Sequence, residues 1–258
     1  MTGVQTCALP ILFTFGEALG GALPEVNAKL AALGSDKRFH NLIGYTFGTG
    51  FGIGCVINGQ LNRGDNSCVE TYCLPHSRIQ DVIVEDGVAV RAVKRVYAER
   101  SGINDPSLSP KDIYEIAEGT RPGNPEAAQA AFAEMGTVAG NAMALAAQLM
   151  DGLIVIGGGI TASKKYFMPT LLDALRGTIR TLSGDTLAKV QMKVYNLDDE
   201  AEFAAFAKGS ARELKVYGSD KTVTYDPQKR IGVMISKIGA SKAISVGAYD
   251  FALAQLDA

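Results

Sequence analysis

YTFGTGFGIGCVIN, residues Tyr45–Asn58, alternates apolar and small residues in the manner of a strand, with glycine at 48, 50, 52 and 54. Glycine weakens a strand interior because it costs backbone entropy and packs nothing. Its repetition raises the question of what approaches this backbone so closely that side chains had to be removed. The run from Asn41 to Asn58 reads as strand, Asn58-Gly59-Gln60 is a turn signal, and LNRG continues beyond it. Together they predict a β-hairpin.

Outward from the hairpin the chain reads as an α/β protein. Phe13 to Leu33 has helical spacing, broken near Pro24 and stopped by Gly34. Gly64–Asp81 reads as loop, and Gly87–Arg100 presents a valine-rich helical face. SPKDIYEIAEG opens on serine and proline and closes on glycine, which predicts a helix with both ends marked. A long alanine- and methionine-rich helix follows Pro125 and ends at Asp151; its small residues predict tight packing against a sheet or a neighbouring helix. GLIVIGGGI is a short buried strand running into Gly157, Gly158 and Gly159. The remaining expectations are a helix near Tyr166–Leu182, a strand at Lys189–Tyr195 and a helix at Ala201–Arg212. A β-meander through ELKVYGSDKTVTYDP and KRIGVMIS and a C-terminal helix complete the chain.

The chain has 258 residues, enough for one large domain or two small ones; 47% are apolar and 20% charged, as in an ordinary globular protein. A net charge of -2 gives no electrostatic case for nucleic acid or an anionic membrane. There is no tryptophan, and no interleaving of aromatic with basic residues of the kind that binds single strands. Cys7, Cys55, Cys68 and Cys73 form no C-x-x-C pair and read as reduced thiols. No apolar run approaches the ~20 residues that span a bilayer. CALPILF near the start lacks the preceding basic residue of a signal peptide. These features predict a cytoplasmic protein.

Two glycine clusters carry the chemistry. Gly48-Thr49-Gly50 lies in the hairpin, and Gly157–Gly159 ends the buried strand. Bare amides at a tight glycine turn form a concave anion site that phosphate oxygens can approach, and Thr49 adds a hydroxyl. Taken singly, each cluster is equally a turn with packing glycines. GGGI lacks the G-x-G-x-x-G spacing of a dinucleotide fingerprint, and no G-K-[ST] follows to make a P-loop.

Together the clusters are more specific. GYTFGTGFGIGCVINGQLNRG resembles the second phosphate-binding hairpin of the ROK family of sugar kinases and repressors, and LIVIGGGIT resembles its adenosine-binding strand. The similarity covers roughly Phe13–Gly159, with Asp151 at the family's helix-ending aspartate, and resumes at SKAISVGAYDFAL. Ala201–Ser236 matches poorly and is read as an insertion. The resemblance implies ATP-dependent phosphorylation of a hexose or N-acetylhexosamine, with Mg2+. It also implies two ribonuclease H-like lobes of the actin-like ATPase superfamily around a cleft. A sugar partner and a homo-oligomer are implied; nucleic acid and membrane are not.

The sequence departs from the family in three places. It has no D-x-G-x-T phosphate loop, so residues 12–258 are expected to form the C-terminal lobe alone, with the N-terminal lobe missing. The family's Asn-Asp pair, whose aspartate is the base, falls on Ala8 and Leu9, and residues 1–11 read as a non-native leader. No catalytic residue is therefore assigned. The structural zinc motif is absent: Cys73 and His76 are two ligands, not a site, and no metal is assigned. By resemblance Glu70 takes the place of the sugar-binding glutamate. Cys73 stands at the family's histidine, with His76 as a substitute or an exposed loop residue. Glu85 is a weaker second sugar contact, or an ordinary acid at a helix start. His40 sits at the hairpin's rim. Two other readings stay open: a sugar-responsive repressor, and a catalytically idle interaction protein of the same fold.

Overall fold

The computed structural model describes residues 4–66 and 68–256, with side chains from Leu9 onward. The chain enters through two helices, α1 (Val4–Gly20) and α2 (Ala22–Ala32). The break falls at Gly20-Gly21, not at the expected Pro24. Proline lies in the first turn of α2, where an amide has no intrahelical acceptor to lose. The run expected as one strand over Asn41–Asn58 is two, β1 (Leu42–Phe47) and β2 (Phe51–Ile57), which fold back on each other at Gly48–Gly50 with Phe47 opposite Phe51; the Asn58-Gly59 turn leads on to β3 (Gln60–Asn62). After the loop come a 3-10 turn at Val84–Gly87, α3 (Val90–Ser101) and α4 (Pro110–Ala117). Helix α5 (Pro125–Met150) then leads into β4 (Leu153–Gly157).

The last third differs more from expectation. Helix α6 (Lys164–Arg176) stops six residues before Leu182, because Thr178–Arg180 (β5) pairs with Thr186–Ala188 (β6) in a hairpin of its own. β7 (Lys193–Asn196) precedes α7 (Glu200–Lys208), which ends at Gly209. The expected meander does not form. β8 (Arg212–Lys215) and β9 (Thr222–Tyr225) pair only with each other, while β10 (Arg230–Ile235) leaves for the main sheet. Nor do residues 201–236 behave as one insertion: β10 is a central strand, and Phe203 and Phe206 of α7 are core. Helix α8 (Ala240–Leu256) closes the chain.

The main sheet has the order β3-β2-β1-β4-β10-β7. Its β1–β3 part is antiparallel, and β1, β4, β10 and β7 are mutually parallel neighbours. The period of two sends alternate residues to opposite layers. Ile43, Tyr45, Phe47, Ile154 and Ile156 join one core with α3–α6. Leu42, Val56, Leu153 and Val155 join another with α1, α2, α7 and α8.

This alternation answers the question of the glycines. Gly44, Gly52 and Gly54 lie on the second face, and α1 runs directly over them. A Cβ would lie 2.0 Å from Thr14 Oγ1 at Gly44 and 2.1 Å from Pro10 Cγ at Gly52. At Gly54 it would lie 2.6 Å from Pro10 O. Helix α5 packs the same way on α6, where Gly136 and Gly140 take the close approach of Phe167 O and Leu171 O.

The free edge of β7 is closed without a further strand. Lys193 and Leu197 bond toward β10, so Val194 and Asn196 face outward. Val194 O accepts from Arg176 Nε at 3.2 Å, and Asn196 N–H donates to Glu202 Oε2 at 2.7 Å. The two side chains pair with each other at 2.5 Å. An ion pair thereby supplies one donor and one acceptor where a neighbouring strand would, a form of edge protection.

Candidate functional site

Parallel strands present their carboxyl ends together, and open α/β sheets bind ligands there. At the ends of β1 and β4 lies a cleft of about 670 Å³ lined by Gly48, Thr49, Gly50, Gly158, Glu70 and Glu85, among others.

The loop between β1 and β2 forms one wall. Gly48 N–H donates to Gly50 O at 3.2 Å, Val90 N–H to Gly48 O at 2.9 Å, and Phe51 N–H to Glu85 Oε2 at 2.8 Å. Thr49 is exposed, and no protein acceptor takes the Thr49 or Gly50 amide among the described residues. Two adjacent unused amides on a cleft wall suit an anion. Nothing lies within 4 Å of a Cβ added at Gly48, whereas one at Gly50 would come within 2.8 Å of Glu85 Oε2.

The second cluster divides. Gly158 adopts φ +102, and a Cβ there would lie 2.3 Å from Phe47 O, so its backbone rests on the residue that precedes the loop. Gly48–Gly50 and Gly158 thus share the cleft. Gly157 is a packing glycine: the Phe13 ring fills its side-chain space at 2.6 Å. Gly159 is exposed, opens a 3-10 turn and does not line the cleft.

Glu70, Tyr72 and Glu85 also line the cleft. Glu85 is joined to the Glu70–Tyr72 segment through its own backbone, whose N–H donates to Tyr72 O at 3.2 Å. His76 stands elsewhere, neither a cleft residue nor an exposed loop residue. It is buried, and its Nδ1 accepts from the Arg78 and Ile79 amides, each at 3.1 Å. Its Nε2 is buried without a partner. Burial pushes its pKa below the ordinary value, with Arg95 and Arg78 acting the same way against Glu134 and Asp86. Those two accepted bonds make it a neutral loop-closing residue, and Gly87 leaves it the room.

Cys68 and Cys73 are exposed free thiols; Cys55 is buried, and burial pushes its thiol to about 12. The side chains of Cys7 and Ala8 lie outside the described residues. Among the described residues no group of three His, Cys, Asp or Glu could hold a metal ion. Leu9 is half-exposed and lines the cleft, as does Pro10.

One buried acid escaped the sequence reading. Glu17 is fully buried beneath the second face; its Oε2 accepts from Ala22 N–H at 2.8 Å and its Oε1 from the Ser236 hydroxyl. It joins the α1–α2 junction to the end of β10. Its signal was available: it lies four residues after the core residue Phe13, on the same face of a helix.

The ROK family model matches residues 25–201. A glucokinase from Parabacteroides distasonis is 51% identical, with a TM-score of 0.88 over 95% of this chain and 67% of its own. A ROK family glucokinase from Streptomyces griseus, solved with glucose and AMPPNP, is 19% identical (TM-score 0.51; 87% of this chain, 66% of its own). A ROK family transcriptional regulator, a homologue of the E. coli MLC protein, is 15% identical (TM-score 0.54; 93% and 50%). The last two show the fold alone. No curated protein matches the chain. The chain spans about two thirds of the length of the two glucokinases. With a family model over most of its length and a half-identical relative of the same fold, the chain belongs to the ROK family, and its fold is the α/β, actin-like ATPase fold of ROK sugar kinases.

Proposed function

We propose that this chain is the nucleotide-binding part of a ROK sugar kinase that transfers phosphate from ATP to a hexose or N-acetylhexosamine. One observation carries the reading: Gly48–Gly50, Gly158, Glu70 and Glu85, far apart in sequence, line one cleft at the carboxyl ends of parallel strands. The free amides of Thr49 and Gly50 hold the terminal phosphates, and Gly158 gives the nucleotide access to the strand ends. Glu70 and Glu85 accept hydrogen bonds from sugar hydroxyls. The half-identical glucokinase makes glucose the first sugar to test.

Phosphoryl transfer relies on positioning and charge neutralisation, with a carboxylate to take the hydroxyl proton. Magnesium, when bound with ATP, neutralises developing charge. The described residues offer it no acidic cluster, so no step is assigned to it. By the resemblance the family's base would fall on Leu9, which lines the cleft and has no group that accepts a proton. The polypeptide as written is therefore expected to bind nucleotide and not to turn over, since groups that act together are not replaced by the rest of a site.

Calorimetry with AMPPNP should give a weak binding isotherm that Gly48→Val weakens at least tenfold, about 1.4 kcal/mol. Absence of any heat at high protein concentration would overturn the retained nucleotide site. An ADP-release assay with glucose and N-acetylglucosamine should stay at background; robust turnover would refute the assignment of Leu9 to the base position.

A further inference from the structure

The cleft loop is shaped by a residue outside it. Glu85 ends at the loop with both carboxylate oxygens engaged. Oε2 accepts the Phe51 amide at 2.8 Å, and Oε1 accepts Arg91 Nη2 at 2.8 Å. Arg91 lies in the first turn of α3 and is itself held from the other side, its Nε donating to Asp86 Oδ1 at 2.5 Å. One guanidinium therefore grips two carboxylates of the same 3-10 turn, a fork geometry that a point charge cannot reproduce.

The consequence follows from the freedom of the bond being held. The terminal torsion of a glutamate is broad and has no deep staggered wells, so a carboxylate with one partner rotates readily. Its second partner decides whether Oε2 stays on the Phe51 amide. That bond matters because the loop has few others: Val90 N–H holds Gly48 O, and Gly48 N–H bonds within the loop to Gly50 O. The close approach of Glu85 Oε2 to Gly50 further shows how tightly the carboxylate fits against the tip.

We propose that Arg91 is a positioning residue: by holding Glu85 Oε1 it keeps Oε2 on the Phe51 amide, and so fixes the Gly48–Phe51 loop in the shape that leaves the Thr49 and Gly50 amides free for a phosphate. Its functional consequence rests on the nucleotide-site reading above; its structural part does not. Through Glu85, whose backbone also bonds to Tyr72, the loop is tied to a second segment that lines the cleft.

The test is amide hydrogen exchange by NMR on the full 15N-labelled chain, comparing wild type with Arg91→Ala and Arg91→Lys, followed by AMPPNP titration of each. Arg91 is half-exposed, so neither change threatens the core. In Arg91→Ala the Phe51 amide should exchange at least tenfold faster while Ile43 and Ile154, in the sheet centre, keep their rates. Arg91→Lys should fall between, and AMPPNP affinity should drop at least fivefold in the alanine variant. Unchanged Phe51 exchange in Arg91→Ala overturns the proposal. So does lost protection with nucleotide affinity intact, because the grip would then shape nothing the ligand uses. If wild type binds no AMPPNP, the nucleotide-site reading falls, and the Phe51 rates still decide whether Arg91 holds the loop.

Discussion

At the scale of single residues, the hairpin glycines separate into two kinds with opposite consequences. Gly54→Ala drives a Cβ against Pro10 O and Ile11 Cα, backbone atoms that cannot swing away. Overpacking of this sort costs about 1–3 kcal/mol. Gly48→Ala meets nothing, and Gly48 is not among the positive-φ positions, so its stability should be unchanged or slightly raised. Urea midpoints for the two variants check the contrast. Glu17 predicts a pH effect. Burial raises its pKa above the ordinary 4.5, outweighing the hydrogen bonds from Ser236 and Ala22 that lower it, with Glu25 adding a little. The folded state then binds its proton more tightly than the unfolded state, so its contribution is most favourable below about 4.5 and declines as pH rises toward the folded value. Glu17→Gln removes that decline. Its stability relative to wild type should therefore improve from pH 4 to pH 7 in denaturant titrations; a constant difference would refute the account.

At the scale of elements, local signals were read well where they were complete. The serine and proline that open α4 form a capping box, with Ser109 and Asp112 exchanging bonds, and Asn124 caps α5 ahead of its proline. The Asn-Gly turn correctly marked the β2–β3 connection, but the reversal at Gly48–Gly50 that splits the expected strand was not read. Element ends were less legible where a partner decided them. Thr178–Arg180 continues a helical pattern until β6 offers it a ladder. The Arg176–Glu202 pair has no sequence signature at all, because its role depends on β7 being an edge. Glu202→Ala should leave the Asn196 amide without its acceptor and cost about 1 kcal/mol. It should also uncover a strand edge, so light scattering of the variant should rise with protein concentration where wild type does not.

At the scale of the whole molecule, α1 links stability to the cleft. Pro10 and Ile11 are buried beneath β2, while Leu9 and Pro10 form part of the cleft wall. Removing residues 1–11 should lower stability by roughly 2–4 kcal/mol, from the lost burial of these side chains and the space left over Gly52 and Gly54. Thermal unfolding of a chain beginning at Leu12 checks this; an unchanged midpoint would mean that the packing of Pro10 and Ile11 contributes nothing.

Periodicity, caps and turn residues were enough for the α/β class, for most helices and the buried β4 strand, and for naming two glycine-rich bends as candidates for one ligand. These signals act within a few positions of each other. Long-range packing was needed to show that Gly157 makes room for Phe13 while Gly158 lines the cleft, that His76 is buried, and that β10 lies between β4 and β7. Steric room, burial and strand order are set by which surfaces meet across long stretches of chain, and a local pattern of apolar and small residues is compatible with several such meetings.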